Sequence, residues 1–373
     1  MTRERVLFLC GDVMTGRGID QVLPHSVDPE LHEPVVKDAR AYIRLAEKVS
    51  GALPERVGYE HIWGDALAEL ERVDPDHRII NLETAVTTSD RWMPKGINYR
   101  MHPGNVPCLT AAGLDCCVLA NNHVLDWEEA GLMETCRVLQ EAGLKTAGAG
   151  ANAEEARSPA VLTSAGGARV LVFAFAARSS GVPPSWAAGV DAPGVAYLLE
   201  PSAETAEAVA AEIRQAREPG DVVVVSVHWG GNWGYAIPPG QRRFARCLID
   251  RHAADVVHGH SSHHPKGIEV HRGRPILYGC GDFLNDYEGI SGDEEYRGEL
   301  VLMYFPHLDA RTGRLTRLRM TPLRIRRFRL QRASDEETRW LQQTLDRESE
   351  PLGSRVELAP DGRLELTWTA SEA

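Results

Sequence analysis

Four histidines fall within seven residues, His258, His260, His263 and His264, inside the stretch DVVHGHSSHHPKGIEVHRGRPILYGCGDFLND at 255–286. An apolar run at 254–257 leads into them. A second run at 275–278 leads into Gly279-Cys280-Gly281-Asp282. Neutral imidazoles beside carboxylates are the ligands of Zn, Mn and Fe sites. The same groups can give and take a proton on the two faces of one carbon. Four earlier runs end in similar chemistry. VLFLC at 6–10 leads to Asp12, and RIINL at 78–82 carries Asn81 and is followed by Glu83. DCCVLA at 115–120 leads to Asn121, Asn122 and His123, and DVVVVSV at 221–227 delivers His228 and Trp229.

Taken singly, each signal has a plainer meaning. An aspartate after a strand usually caps a turn, and Asn-Asn is a turn pair. His228 beside Trp229 could be a packed histidine. His264 and His271 are read as packing or surface residues, Glu128, Glu129 and 293–295 as solvated faces, and the cysteines as core. Five strand ends of this kind are hard to assign to random surface polarity. Ligands of α/β proteins bind outside the carboxyl ends of the strands, so the five are expected to converge.

The elements that must position them follow from periodicity. Strands are expected at the five runs, at 299–305 and as a two-strand unit over 314–330. Residues 160–163 and 169–174 form a hairpin across Ala-Gly-Gly. Helices are expected at 36–50, 64–73, 127–142 (stopped by Gly143), 203–217 and 239–252. Asn105 is expected to cap a helix running to 112, and Ser334 with Glu337 forms a capping box for a helix over 334–347. Residues 20–60, 88–104 and 178–196 read as loops or insertions around the strand ends, and a short strand pair closes the chain after 352. Alternating strands and helices give an α/β fold. The expected organisation is one domain at 1–310 with a β/α extension at 311–373 packed on it.

The 373 residues are 43% hydrophobic and 25% charged, with a formal charge of −12. An acidic chain lacks the basic field that a nucleic-acid surface needs. The arginine-rich piece at 311–332 is expected to pair with the acidic excess. No window approaches the apolar length of a membrane span, and the first residues are too short for a signal peptide. The seven cysteines include no C-x-x-C pair, so neither a disulfide framework nor a zinc knuckle is indicated. A reduced, cytoplasmic protein is expected.

Taken in order, Gly11-Asp12-Val13-Met14, Asn81-Leu82-Glu83-Thr84, Ala120-Asn121-Asn122-His123, His228-Trp229-Gly230, Gly259-His260-Ser261-Ser262-His263 and Gly281-Asp282-Phe283 resemble the CapA-like family. That family is named for capsular poly-γ-glutamate synthesis and looks like a branch of the calcineurin-type metallophosphatases. VLANNHVLDW at 118–127 and the run at 131–152 are especially similar to its pattern. The resemblance implies a metallophosphatase-like two-sheet β-sandwich flanked by helices (α/β/β/α). It also implies a two-metal site at Asp12, Glu83, Asn122, His228, His260 and His263, with His123 as the acid. Met14 stands where the metallophosphatase pattern has a histidine, and Asp282 where relatives have an asparagine.

Three functions compete. A metal-dependent phosphoesterase or hydrolase would need divalent Mn, Zn or Fe. A part in poly-γ-glutamate or capsule synthesis follows from the family name. The preferred reading is a peptide epimerase of the lasso-peptide type, needing no cofactor. Its expected acid/base residues are Asp12, His260, His228 and His123, with Asn121, Asn122, Trp229 and Asp282 as substrate or oxyanion contacts. The expected partner is a peptide substrate, held in a groove by Trp92, Trp186, Trp229 and Trp233, with no nucleic acid and no membrane.

Overall fold

A computed structural model describes residues 4–164 and 166–369. Ala165, in the turn of the expected hairpin, lies outside the described residues, as do the chain's first three and last four. The strands on either side, Ala160–Thr163 and Arg169–Ala177, do pair antiparallel.

Two large sheets face each other. One is built outward from Glu4–Val13, which pairs in parallel with His77–Leu82 and with Asp282–Leu284, and antiparallel with Leu300–Asp309. The other runs Tyr197–Leu198, Arg169–Ala177, Val222–His228, Val256–His260, Arg274–Leu277, Ile268–His271. The parallel strands Val222–His228 and Val256–His260 show how sequence becomes two faces. Strand side chains alternate with period 2. Val222, Val224 and Val256 therefore join the core that contains Leu7, Leu9 and Ile79. Val223, Val225, Val227 and Val257 join a second core with Val209 and Ile213 of helix Ala203–Ala216 and with Phe244 and Leu248 of helix Pro239–Asp250. The layers are thus helix, sheet, sheet, helix, as the resemblance implied.

Some local expectations change. Asn105 caps no helix. Residues Pro103–Asn105 form a 3-10 turn capped by His102, and the helix is the short Pro107–Ala111. The Asn105 side chain instead donates to Asp20 Oδ1 at 2.8 Å and accepts from the His25 amide, because a buried amide takes the partners that tertiary packing offers. Ile268–His271, where the sequence gives no expected element, is a strand antiparallel to Arg274–Leu277. The 178–196 stretch is mixed, with Ser180 and Val182 buried and Val190 exposed. It holds two 3-10 turns, and Trp186 is buried.

The strands after residue 310 are continuous with the first sheet. Leu315–Ile325 pairs with Leu300–Asp309, then with Leu364–Trp368, which pairs with Ser354–Leu358. The arginines of this part find carboxylates, with Arg317 on Glu365, Arg324 on Glu337 and Arg332 on Glu69. The Ser334–Glu337 capping box is present at helix Asp335–Ser349.

Candidate functional site

The parallel strands end on one edge, and their last inward-facing residues meet there. A β-bulge makes this possible on the first sheet. Leu9 pairs with Ile79 but Asp12 pairs with Asn81, so the chain gains one residue around Cys10 and Gly11. The extra residue kinks the strand and turns Asp12 into the space between the sheets. Asn81 Nδ2 donates to Asp12 Oδ1 at 2.7 Å, and the Ser261 amide donates to Asp12 Oδ2 at 3.1 Å. Ser261 takes φ of +98° to aim that amide, a conformation rare for a side-chain-bearing residue and typical of functional loops.

On the second sheet, Ser226 lies opposite His258, and His228 lies opposite His260. All four face inward. His228 Nδ1 and His260 Nδ1 are 2.7 Å apart, and His260 Nδ1 is 3.7 Å from Asp12 Oδ1. The loop beyond brings His263 Nδ1 to 2.8 Å from Asp282 Oδ1, while Asn285 donates to the other Asp282 oxygen at 2.7 Å.

Two donor groups result, Asp12–His228–His260 and Asp12–His263–Asp282, each with its ligand atoms within 4.8 Å of one another. Asp12 belongs to both. Asp282 thus completes a triad where Met14 replaces the pattern's histidine. Met14 itself is buried, and its sulfur accepts from Tyr287 Oη at 3.6 Å. Glu83 and Asn122 belong to neither group but stand beside them. Glu83 Oε1 is 3.7 Å from His123 Nε2 and 3.9 Å from His228 Nε2, and Asn122 Oδ1 is 3.0 Å from His228 Nε2.

The electrostatics fit a cation. Burial, then the neighbouring Asp282 charge, raises the Asp12 carboxyl to about 7. Burial and Asp12 push Glu83 well up as well. Burial drives His228 and His260 far down, so both are neutral. Burial opposes a proton on His263, but Asp282 outweighs it and raises that imidazole. Glu83 Oε2 is buried without a hydrogen-bond partner. Crowded carboxylates, neutral imidazoles with facing nitrogens and an orphaned carboxylate oxygen make a donor set suited to Zn, Mn or Fe.

His123 sits on the rim. Its Nδ1 donates to Asp126 Oδ2 at 2.6 Å, and Asp126 also takes the Lys95 ammonium at 2.6 Å and the Tyr99 amide at 2.6 Å. Lys95 also donates to the Asn122 carbonyl and lies over the Trp186 ring. Burial lowers His123 to about 4. Next to the His263 side is a cavity of about 310 Å³ lined by Trp233, Asn285 and Tyr287 among others.

A family model described as bacterial capsule synthesis protein PGA_cap matches residues 6–287, which contain every residue of this centre. The chain belongs to the PGA_cap family. This PGA_cap chain is 49% identical over 367 residues to a Mycobacterium tuberculosis protein named probable polyglutamine synthesis accessory protein, covering 98% of this chain and 96% of that one. It is 25% identical to the PGA biosynthesis protein CapA of Bacillus subtilis, over 74% of this chain and 62% of that protein. It is also 25% identical to the capsule biosynthesis protein CapA of Bacillus anthracis, over 74% and 59%. Among the described residues, no helix is long and apolar enough to cross a membrane.

Several residues assigned to the site from sequence do other work. Trp229 is buried away from it. It points with the Val223–Val227 face into the helix layer, packs on Phe244 and donates to the Tyr278 carbonyl. Asn121 has no atom left for a substrate. Its amide donates to Asn81 and to the Leu82 carbonyl, and its oxygen accepts from the amides of His123 and Val124. Asp282 is held as an acceptor by His263 and Asn285, not as an oxyanion donor. Of the four groove tryptophans, Trp186 and Trp229 are buried, leaving Trp92, stacked on His32, and Trp233 beside His263. His264 is a packing residue among Trp233, Tyr235 and Tyr296. The sequence reading passed over Ser226, Lys95 and Asp126. Period 2 counted back from His228 marks Ser226, and the His-x-x-Asp spacing marks Asp126.

Proposed function

We propose that this protein is a divalent-metal-dependent hydrolase acting on an intermediate or product of glutamate- or glutamine-polymer synthesis. The carrying observation is the pair of three-donor groups that share Asp12. Asp12, His228 and His260 would hold one cation, and Asp12, His263 and Asp282 a second. Such cations supply Lewis-acid polarisation and an activated water. The chain's own residues divide the remaining tasks. Asp126 holds the His123 proton on Nδ1, so that its Nε2 presents a lone pair to Glu83 and the centre, where it can accept a proton. Lys95 adds positive charge at the rim, and Asn122 steadies His228. The polymer context comes from the names of the relatives.

The geometry favours this reading over inversion of a peptide α-carbon. Inversion needs an acid and a base on opposite faces of one carbon. Asp12 and His260 are 3.7 Å apart, and His260 touches His228, so no carbon fits between any two of Asp12, His228 and His260. The test is metal content of the purified protein, with hydrolysis of poly-γ-glutamate or polyglutamine oligomers and of model phosphoesters measured before and after chelation. Bound Zn, Mn or Fe, activity lost on chelation and restored by the ion, and loss of both in Asp12→Ala are expected. Deuterium uptake at a peptide α-carbon that survives chelation would overturn the reading.

A further inference from the structure

The second sheet carries a hydrogen-bond chain that leads away from the centre. His258 Nε2 is 2.7 Å from the Cys10 carbonyl, which can only accept. His258 Nε2 therefore carries a proton. His258 is fully buried, and none of the described ion pairs or hydrogen bonds joins it to a carboxylate, so a second proton would be an uncompensated buried charge. Its Nδ1 is then an acceptor, and Ser226 Oγ, 3.1 Å away, donates to it. With its one proton so directed, Ser226 Oγ accepts from His260 Nε2 at 2.8 Å. His260 then holds its proton on Nε2 and presents the Nδ1 lone pair toward Asp12 and His228.

We propose that Ser226 and His258 are positioning residues that fix the tautomer of His260, so that its Nδ1 is the atom offered to a divalent cation at Asp12. The carbonyl that anchors the chain, Cys10, lies in the bulge that turns Asp12 inward. One irregularity in the first sheet thus places the carboxylate and orients the imidazole on the facing sheet. The period-2 spacing carries it in sequence: Ser226 precedes His228 by two residues, and His258 precedes His260 by two, so both pairs share the inward face. Partners of this kind on the far nitrogen of a ligating histidine set its orientation and basicity. The inference rests on the metal reading above for its consequence, though not for its geometry.

The experiment has two arms on the full-length protein. In the first, side-chain 15N spectra of the chelator-stripped protein report the His260 tautomer. A proton on Nε2 is expected, and a proton on Nδ1 overturns the proposal. In the second, Zn and Mn affinities are measured by chelator competition for wild type, Ser226→Ala, Ser226→Thr and His258→Leu, with metal-free melting curves alongside. Ser226→Ala and His258→Leu are expected to weaken binding about 10–100-fold. Ser226→Thr, which keeps the hydroxyl, is expected to stay near wild type. Unchanged affinity in Ser226→Ala and His258→Leu overturns the proposal. If wild type binds neither ion, the metal reading fails, and the 15N spectra still decide whether the chain sets the tautomer. An unfolded variant leaves the wild-type spectra as the deciding arm.

Discussion

Asp126 is fully buried beneath the rim histidine and takes three donors, His123, Lys95 and the Tyr99 amide. Its role can be separated from that of the centre. Asp126→Asn keeps the shape but removes the negative charge that faces His123 Nδ1 and Lys95, so His123 loses its anionic partner. The expected result is a fall in turnover of about 10²–10⁴-fold, with metal content unchanged. Steady-state kinetics with metal analysis on the same sample checks it. Equal loss of metal would assign Asp126 to the integrity of the centre instead. Glu83 raises a different question, because one of its oxygens is buried without a partner. Glu83→Gln replaces a buried acid by a neutral amide. Without metal it is expected to melt at or above the wild-type temperature, and with metal to gain less from the ion than wild type does. Both follow if the carboxylate is a group awaiting a cation, and calorimetry of stripped and loaded samples reads them.

At the scale of elements, the approach of strand Glu4–Val13 to the 279–284 segment decides whether the centre exists. The Asp12 amide donates to the Gly281 carbonyl at 3.0 Å. A side chain at Gly11 would put its Cβ 1.7 Å from that same carbonyl oxygen. The obstacle is backbone, which cannot swing aside as a side-chain tip would. Gly11→Ala is expected to cost at least about 3 kcal/mol of stability or to prevent folding. Urea unfolding, or soluble yield if no folded protein is recovered, measures it, and a wild-type midpoint would contradict the packing described. The bulge and the 279–284 segment are one device, since shifting either moves Asp12 away from His260 and Asp282.

Across the whole molecule, Glu69 ties the ends of the chain together. It sits in helix Asp65–Val73 and accepts from Arg363 and Thr321 as well as from Arg72 and Arg332. Burial alone would raise its carboxyl, but the hydrogen bonds from Arg72, Arg363 and Thr321 outweigh it and hold the group well below the usual carboxylate range. A depressed carboxyl stabilises the fold above its unfolded value, near pH 4.3, and that contribution fades as pH falls toward the folded value. Glu69→Gln is expected to lose about 3 kcal/mol at pH 7, because it leaves the buried Arg363 with only the partly exposed Asp361 as a charge partner. The gap to wild type should narrow in urea titrations near pH 3. A gap independent of pH would mean that packing, not charge, joins the 311–369 strands to the rest.

The sequence by itself determined the layered α/β architecture and the family, and it named most of the centre. Apolar runs ending in Asp12, Asn81, His228 and His260 marked the converging strand ends, because parallel strands bring their carboxyl ends to one edge whatever the loops do. The facing sheets and the ligand set followed from the family resemblance of the ordered motifs. Period 2 also held information that the expectations left unused. It separates Trp229 from His228 and joins Ser226 to it, since neighbours in a strand face opposite layers. Tertiary structure alone decided the rest. That Asp282 would serve the centre as an acceptor, that Asp12 would be shared by two donor groups, and that Asn121 would be consumed by its own turn depend on distances between segments far apart in the chain. No local pattern encodes them. They are fixed by how the bulge at Cys10 and Gly11 seats one sheet against the other, and that seating sets which oxygens and nitrogens lie within reach of a single ion.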